Sequence, residues 1–242
     1  MTSENQSARR SWLLVAASEA EQIEHAAESG ADVIVLDLVE LIAEHNKHSA
    51  RKNVRAAIQT ARARGAEVFA QVDPALLLPD LEACAWPGLS GVVLARTESA
   101  EQVEEAAELL SGLEHARGIP PDTLKIVAAL ETARGNHAAY DIARASPRVC
   151  GITLGRADLI MDLRPEPSGE IHLMPYLLQR LIMIAGALGV TPIGAWWRAP
   201  DRGLLATPEN TYQAAYRGRA IGFKGAMCLR ANQAEALNRA FG

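Results

Sequence analysis

Short apolar runs rich in β-branched residues recur along this chain, each followed by a longer amphipathic stretch. The runs are Ser11–Ala17, Asp32–Leu38, Ala66–Val72, Ser90–Ala95, Leu124–Leu130, Val149–Leu154, Thr191–Trp197 and Phe223–Leu229. They are almost continuously apolar, as in VIVLDL and KIVAAL. That is how strands read when a parallel sheet is covered on both faces. Between and after them Glu19–Ser29, Lys47–Arg64, Leu77–Ala85, Ala100–Ala116, Arg134–Ala145, Met174–Leu188, Pro208–Ala220 and Gln233–Ala240 read as helices, the first two closed by Gly30 and Gly65. Strands alternating with helices mean βαβ units. Eight such units in 242 residues predict an α/β fold of the TIM (β/α)8 barrel type, one domain spanning residues 1–242. The rival is a doubly wound open sheet, and it lacks support because no G-x-G-x-x-G opens a helix.

Composition narrows the partners. The net charge is −5 and no Lys/Arg cluster stands out, which argues against nucleic acid. The longest apolar run, Leu181–Val190, is about half of what a bilayer span needs. Met1–Arg10 is polar and lacks the apolar centre of a signal peptide. No membrane association and a cytoplasmic location are expected. The three cysteines, Cys84, Cys150 and Cys228, are far apart and form no C-x-x-C, so neither a disulfide framework nor a zinc site is indicated. Each reads as a small buried hydrophobe.

In a TIM barrel, chemistry sits at the C-terminal ends of the strands. The polar residues there are Asp37 and Glu40, Gln71 and Asp73, Arg96 and Glu98, Glu131 and Arg134, Arg156 and Asp158, Trp196 to Arg198, and Arg230. The irregular stretches Pro74–Pro79, Arg164–His172 and Arg198–Thr207 follow strands on the same face. Glu131 and Asp158 end neighbouring strands and can converge on one cation. Mg²⁺ accepts one or two carboxylates plus waters and substrate oxygens. A single acid at a strand end can equally be solvated or paired with arginine, so spacing alone leaves both readings open. Other templates are missing: no G-x-x-x-x-G-K-S/T, no H-E-x-x-H, no G-x-S-x-G, and no two of the six histidines at metal-ligand spacing on a strand end.

Several segments resemble the HpcH/HpaI aldolase/citrate lyase family, most closely its citrate lyase β-subunit-like branch. RSWLLVAAS (Arg10–Ser18) is similar to the opening strand and SGADVIVLDLVELI (Ser29–Ile42) to G-A-D-x-x-x-x-D-L-E-D. GVVLARTES (Gly91–Ser99) resembles V-V-L-P-K-x-E-S, and GFKGAMCLRANQ (Gly222–Gln233) the closing G-F-x-G-K-x-C-I-H-P-x-Q. The strongest matches are ALETARG (Ala129–Gly135) and SPRVCGITLGRADL (Ser146–Leu159). The resemblance implies that Glu131 and Asp158 hold Mg²⁺. It implies a carbon–carbon lyase or aldolase acting on a hydroxy-acid or its CoA ester, and a homo-oligomer, trimer or hexamer. Glu40 and Arg96 are then the candidate catalytic residues, Glu40 for proton transfer. Gln71, Glu131 and Arg156 would meet the substrate. The departures are specific: an acid of D-L-E-D is Val39, the arginine of V-R-V-N is Gln71, P-K is Ala95–Arg96, and H-P is Arg230–Ala231. The alternative they leave is a catalytically silent relative that binds a CoA-like ligand or a partner subunit.

Overall fold

The computed structural model describes residues 9–155, 159, 162–163, 167–194 and 207–242, with the backbone alone of 167–173. Eight strands run β1 (Ser11–Ala16), β2 (Val33–Asp37), β3 (Glu67–Val72), β4 (Gly91–Leu94), β5 (Lys125–Leu130), β6 (Val149–Leu154), β7 (Thr191–Gly194) and β8 (Gly225–Cys228). They pair in chain order, all parallel, and β8 closes on β1. The α/β barrel expected from the alternation is therefore what the chain forms. The helices are α1 (Ala20–Glu28), α2 (Lys47–Arg62), α3 (Leu77–Cys84), α4 (Ala100–Arg117), α5 (Ala133–His137), α6 (Ala139–Arg144), α7 (Pro167–Leu188), α8 (Pro208–Ile221) and α9 (Ala231–Phe241). Among the described residues no helix is long and apolar enough to cross a membrane.

The stretch Arg134–Ala145, expected as one helix, is two. The guanidinium of Arg180 donates to the carbonyl oxygens of Asn136 and His137, taking acceptors that a continuous helix would offer to the next turn. The chain turns at Ala138 (φ −83°, ψ 6°) before α6 starts. The helix expected from Met174 begins earlier, at Pro167, where proline suits a first helical turn. The expected end of β7, with Trp196 and Trp197, lies outside the described residues.

Strand alternation sorts the apolar residues into two layers. Trp12, Leu14, Val33, Val35, Phe69, Val93, Val127, Ala129, Ile193 and Met227 fill the barrel. Their neighbours, such as Ile34, Leu36, Val68, Ala70, Ile126 and Ala128, pack outward under the helices. The N-terminal end is plugged: the Trp12 and Phe69 ring centroids lie 4.9 Å apart, and Arg9, paired with Glu67 at 2.7 Å, lies over the Phe69 ring. Cys84 and Cys228 are buried as expected, but Cys150 is only half-buried, and Arg9 Nη1 reaches its Sγ at 3.6 Å. The other end of the barrel is where the inward positions turn polar.

Candidate active site

The period of two that directs Val33 and Val35 into the barrel directs Asp37 there as well. The same phase carries Phe69 to Gln71, Val127 and Ala129 to Glu131, and Thr153, which is in register with Ala129. Asp37, Gln71, Glu131 and Thr153 are all buried. Four polar side chains thus cap an otherwise apolar interior, at the end where barrel enzymes work.

Hydrogen bonds link the strand ends in order. Gln71 Nε2 donates to Glu40 Oε1 at 3.1 Å, joining β3 to the loop after β2. Arg96 Nη2 donates to Asp73 Oδ2 at 2.8 Å, joining β4 to β3. The backbone N–H of Arg96 donates to Glu131 Oε2 at 2.8 Å, joining β4 to β5. Glu131 then faces Gly155, the residue after β6, whose missing Cβ leaves room for the glutamate.

Arg96 serves two strands from one residue because its backbone is left-handed (φ 44°). That conformation costs a residue with a side chain roughly 1–2 kcal/mol. It aims the main-chain N–H at Glu131 while the half-exposed guanidinium goes to Asp73. Asp73 is itself held. Its Oδ1 accepts from the N–H of Ala75, and its own N–H donates to Asp80 Oδ2 at 3.0 Å. Asp80 is fully buried and accepts from Arg51 Nε at 2.7 Å. Burial pushes the Asp80 carboxyl up, and the Asp73 N–H and Arg51 offset only part of that.

The segment carrying Glu131 is stiff. Thr132 caps α5 by accepting from the Gly135 N–H at 3.1 Å, and Asn136 Nδ2 donates to the carbonyls of Leu130 and Thr132. A Cβ on Gly135 would lie 2.2 Å from the Thr97 carbonyl oxygen, so only glycine fits there. The E-T-A-R-G pattern is therefore one glutamate and the scaffold that fixes it. Arg134 is exposed and sits 3.7 Å from Glu98.

Of the candidates from sequence, the structure brings together Glu40 with Gln71 and Arg96 with Glu131. Asp158 and Arg156 lie outside the described residues, as does Arg198. Arg230 is exposed at the start of α9. Asp37 is occupied structurally, accepting from the N–H groups of Val39, Glu40 and Leu41 and so shaping its own loop. Sequence reasoning gave no role to Asp73, Asp80 or Thr153. An Asp before Pro74 is a capping signal that marks Asp73. Thr153 was findable from strand phase, and nothing local marks Asp80. Among the described residues, Gln71 Oε1 and Thr153 Oγ1 are buried without a hydrogen-bond partner.

Residues 10–231 match the model of the HpcH/HpaI aldolase/citrate lyase family. The chain belongs to that family. The citrate lyase subunit beta of Leuconostoc mesenteroides subsp. cremoris is 26% identical over 240 residues, covering 98% of this chain and 78% of the relative. A (3S)-malyl-CoA thioesterase of Cereibacter sphaeroides is 29% identical over 238 residues, covering 96% and 76%. The solved citrate lyase beta subunit from M. tuberculosis, complexed with oxaloacetate and magnesium, matches with a TM-score of 0.77 and 27% identity, covering 98% of this chain and 99% of that one. As a member of the family, this chain carries its barrel, with Glu131 and Gln71 both buried at the mouth.

Proposed function

We propose that this protein is a Mg²⁺-dependent carbon–carbon lyase that cleaves or forms a hydroxy-acid or its CoA ester. The observation that carries the reading is Glu131, a carboxylate 1% exposed, fixed at the barrel mouth by a main-chain N–H and facing a glycine. A buried acid held this way is oriented for a ligand, and its oxygens suit a hard cation that accepts few protein carboxylates. Glu131 with Asp158 would hold the ion, which supplies Lewis acidity toward a substrate hydroxyl and carboxylate. The magnesium and oxaloacetate in the mycobacterial structure support this, as does the thioester named in the Cereibacter relative.

The chain's own groups then divide the work. Glu40, exposed at the mouth and tied to Gln71, is the group proposed to take the hydroxyl proton. Arg96, with Arg156, would place positive charge near the enolate left by bond cleavage. A cytoplasmic location, suggested by the three widely spaced cysteines, and a homo-oligomer, trimer or hexamer, which rests on the family alone, are part of the same proposal.

The test is calorimetry with Mg²⁺ followed by product analysis on malyl-, citramalyl- and citryl-CoA. A lyase releases a keto acid with an acyl-CoA, whereas a thioesterase releases free CoA. Glu131→Gln and Asp158→Asn should each abolish Mg²⁺ binding and turnover while leaving the circular dichroism unchanged. Unaltered Mg²⁺ affinity in both variants would remove the assignment. Bound Mg²⁺ with no turnover of any ester would favour a silent relative.

A further inference from the structure

The Gln71 side chain is fully buried at the mouth of the barrel, and its two ends have opposite fates. Nε2 donates to Glu40 Oε1 at 3.1 Å. Oε1 is buried and has no partner among the described residues. The orientation of the amide follows from its neighbour, because a carboxylate can only accept; turning the amide over would set two oxygens against each other. The group presented at the mouth by β3 is therefore an acceptor. A buried acceptor without a donor is unfavourable, and ligand binding is one way to satisfy it.

Among the described residues, two acids stand next to it and no cation bonds it. Glu40 is the hydrogen-bond partner, and Asp37 is the register partner of Gln71 on β2. The guanidinium of Arg96 is turned to Asp73 at 2.8 Å. A ligand carboxylate brought to Gln71 would meet a carbonyl oxygen that has no proton to give it. A hydroxyl or an amide N–H would meet a ready acceptor.

We infer that the Gln71 subsite selects substrates whose far end is an uncharged hydrogen-bond donor, a hydroxyl or carboxamide, and rejects those ending in a carboxylate. The inference rests on the barrel-mouth site proposed above and names its substrate class. Gln71 is the specificity-determining residue, with Glu40 fixing which end of the amide it shows.

Three 2-oxo acids of matched length separate the possibilities: oxaloacetate, the analogue with a terminal carboxamide in place of its far carboxylate, and 2-oxobutanoate with a methyl there. Each is titrated by calorimetry into the native protein at saturating Mg²⁺. The carboxamide should bind at least tenfold more tightly than oxaloacetate, a difference of about 1.4 kcal/mol, and several-fold more tightly than 2-oxobutanoate. Gln71→Arg should reverse the first preference, and Gln71→Leu should erase the second. Tighter binding of oxaloacetate by the native protein overturns the inference without recourse to a variant. So does an unchanged carboxamide-to-methyl ratio in Gln71→Leu, or no binding of any of the three while Mg²⁺ itself binds. A carboxamide preference that persists without measurable Mg²⁺ binding would uphold the subsite and remove the metal-dependent function instead.

Discussion

A Cβ built on Gly155 would lie 2.6 Å from Cγ of Glu131 and 2.9 Å from its Oε1. The two residues face each other across the ends of β5 and β6, where Leu130 and Leu154 are in register. The glycine thus makes the space in which the glutamate is positioned. Gly155→Ala should push the carboxylate aside without unfolding the barrel, since the clash is with a side chain. We expect Mg²⁺ affinity to fall at least tenfold, about 1.4 kcal/mol, with little change in melting temperature. Gly135→Ala is the contrast, because its Cβ would meet the Thr97 carbonyl oxygen at 2.2 Å, and backbone there cannot easily yield. That variant should lose stability first. Native Mg²⁺ affinity in Gly155→Ala would show that Glu131 is not a ligand.

Behind the site, Asp80 holds two donors at once, Arg51 Nε and the Asp73 N–H. An asparagine can accept from only one of them with its oxygen, and its NH₂ then faces the other donor. Asp80→Asn should lower stability by about 1.5–3 kcal/mol, the range for a hydrogen bond to a charged group. Because Asp73 in turn holds Arg96, substrate affinity should drop as well. Urea denaturation gives the first effect and ligand titration the second. A stable variant with normal ligand binding would show that the chain from Arg51 to Arg96 does not position the site.

The cysteines give a prediction about reactivity. Burial pushes the Cys84 and Cys228 thiols up to about 12. The thiolate is the reactive form, so neither should react with a disulfide reagent in the native protein at pH 8. Burial raises Cys150 too, against the opposing pull of Arg9. It should therefore label slowly, ahead of the other two. All three should react on unfolding. Rapid native labelling at Cys84 or Cys228 would contradict their burial.

The strands were legible because burial on both faces leaves an uninterrupted apolar run, and their phase continued into Gln71 and Glu131 without further information. What no local pattern carries is a partner far along the chain. Ala138 breaks a helix because Arg180, 43 residues beyond His137, takes that carbonyl. Asp37 looks like a catalytic acid from its position at the end of β2, yet its oxygens serve the loop that follows. Sequence spacing shows where an acid stands and not what already occupies it. The left-handed backbone of Arg96 is equally silent in the sequence, since arginine is not a residue that signals it.

Glu114 is another case: nothing in its surroundings in the sequence marks it, yet in the last turns of α4 it is only 1% exposed. Arg148 meets it through two nitrogens at 2.6 and 2.8 Å, and the N–H groups of Leu124 and Asp122 donate to the same carboxylate. Burial alone would raise the Glu114 carboxyl, but the guanidinium and these donors more than offset it and hold it below its ordinary value. A folded pKa below the unfolded one means that protonation favours the unfolded chain. The stabilisation is therefore complete above the ordinary carboxylate range and is lost as pH falls through the folded pKa. Glu114→Gln leaves the buried Arg148 with only the exposed Asp122 carboxylate at 3.2 Å, so the loss at pH 7 should approach the roughly 3–5 kcal/mol of a broken buried pair without reaching its upper end. The double variant Glu114→Gln/Arg148→Met removes both charges and should recover much of that. Urea denaturation of native protein and both variants between pH 7 and pH 3 makes the check. The native advantage over Glu114→Gln should shrink toward the acid end, and a constant difference across that range would rule out the depressed carboxyl as its source.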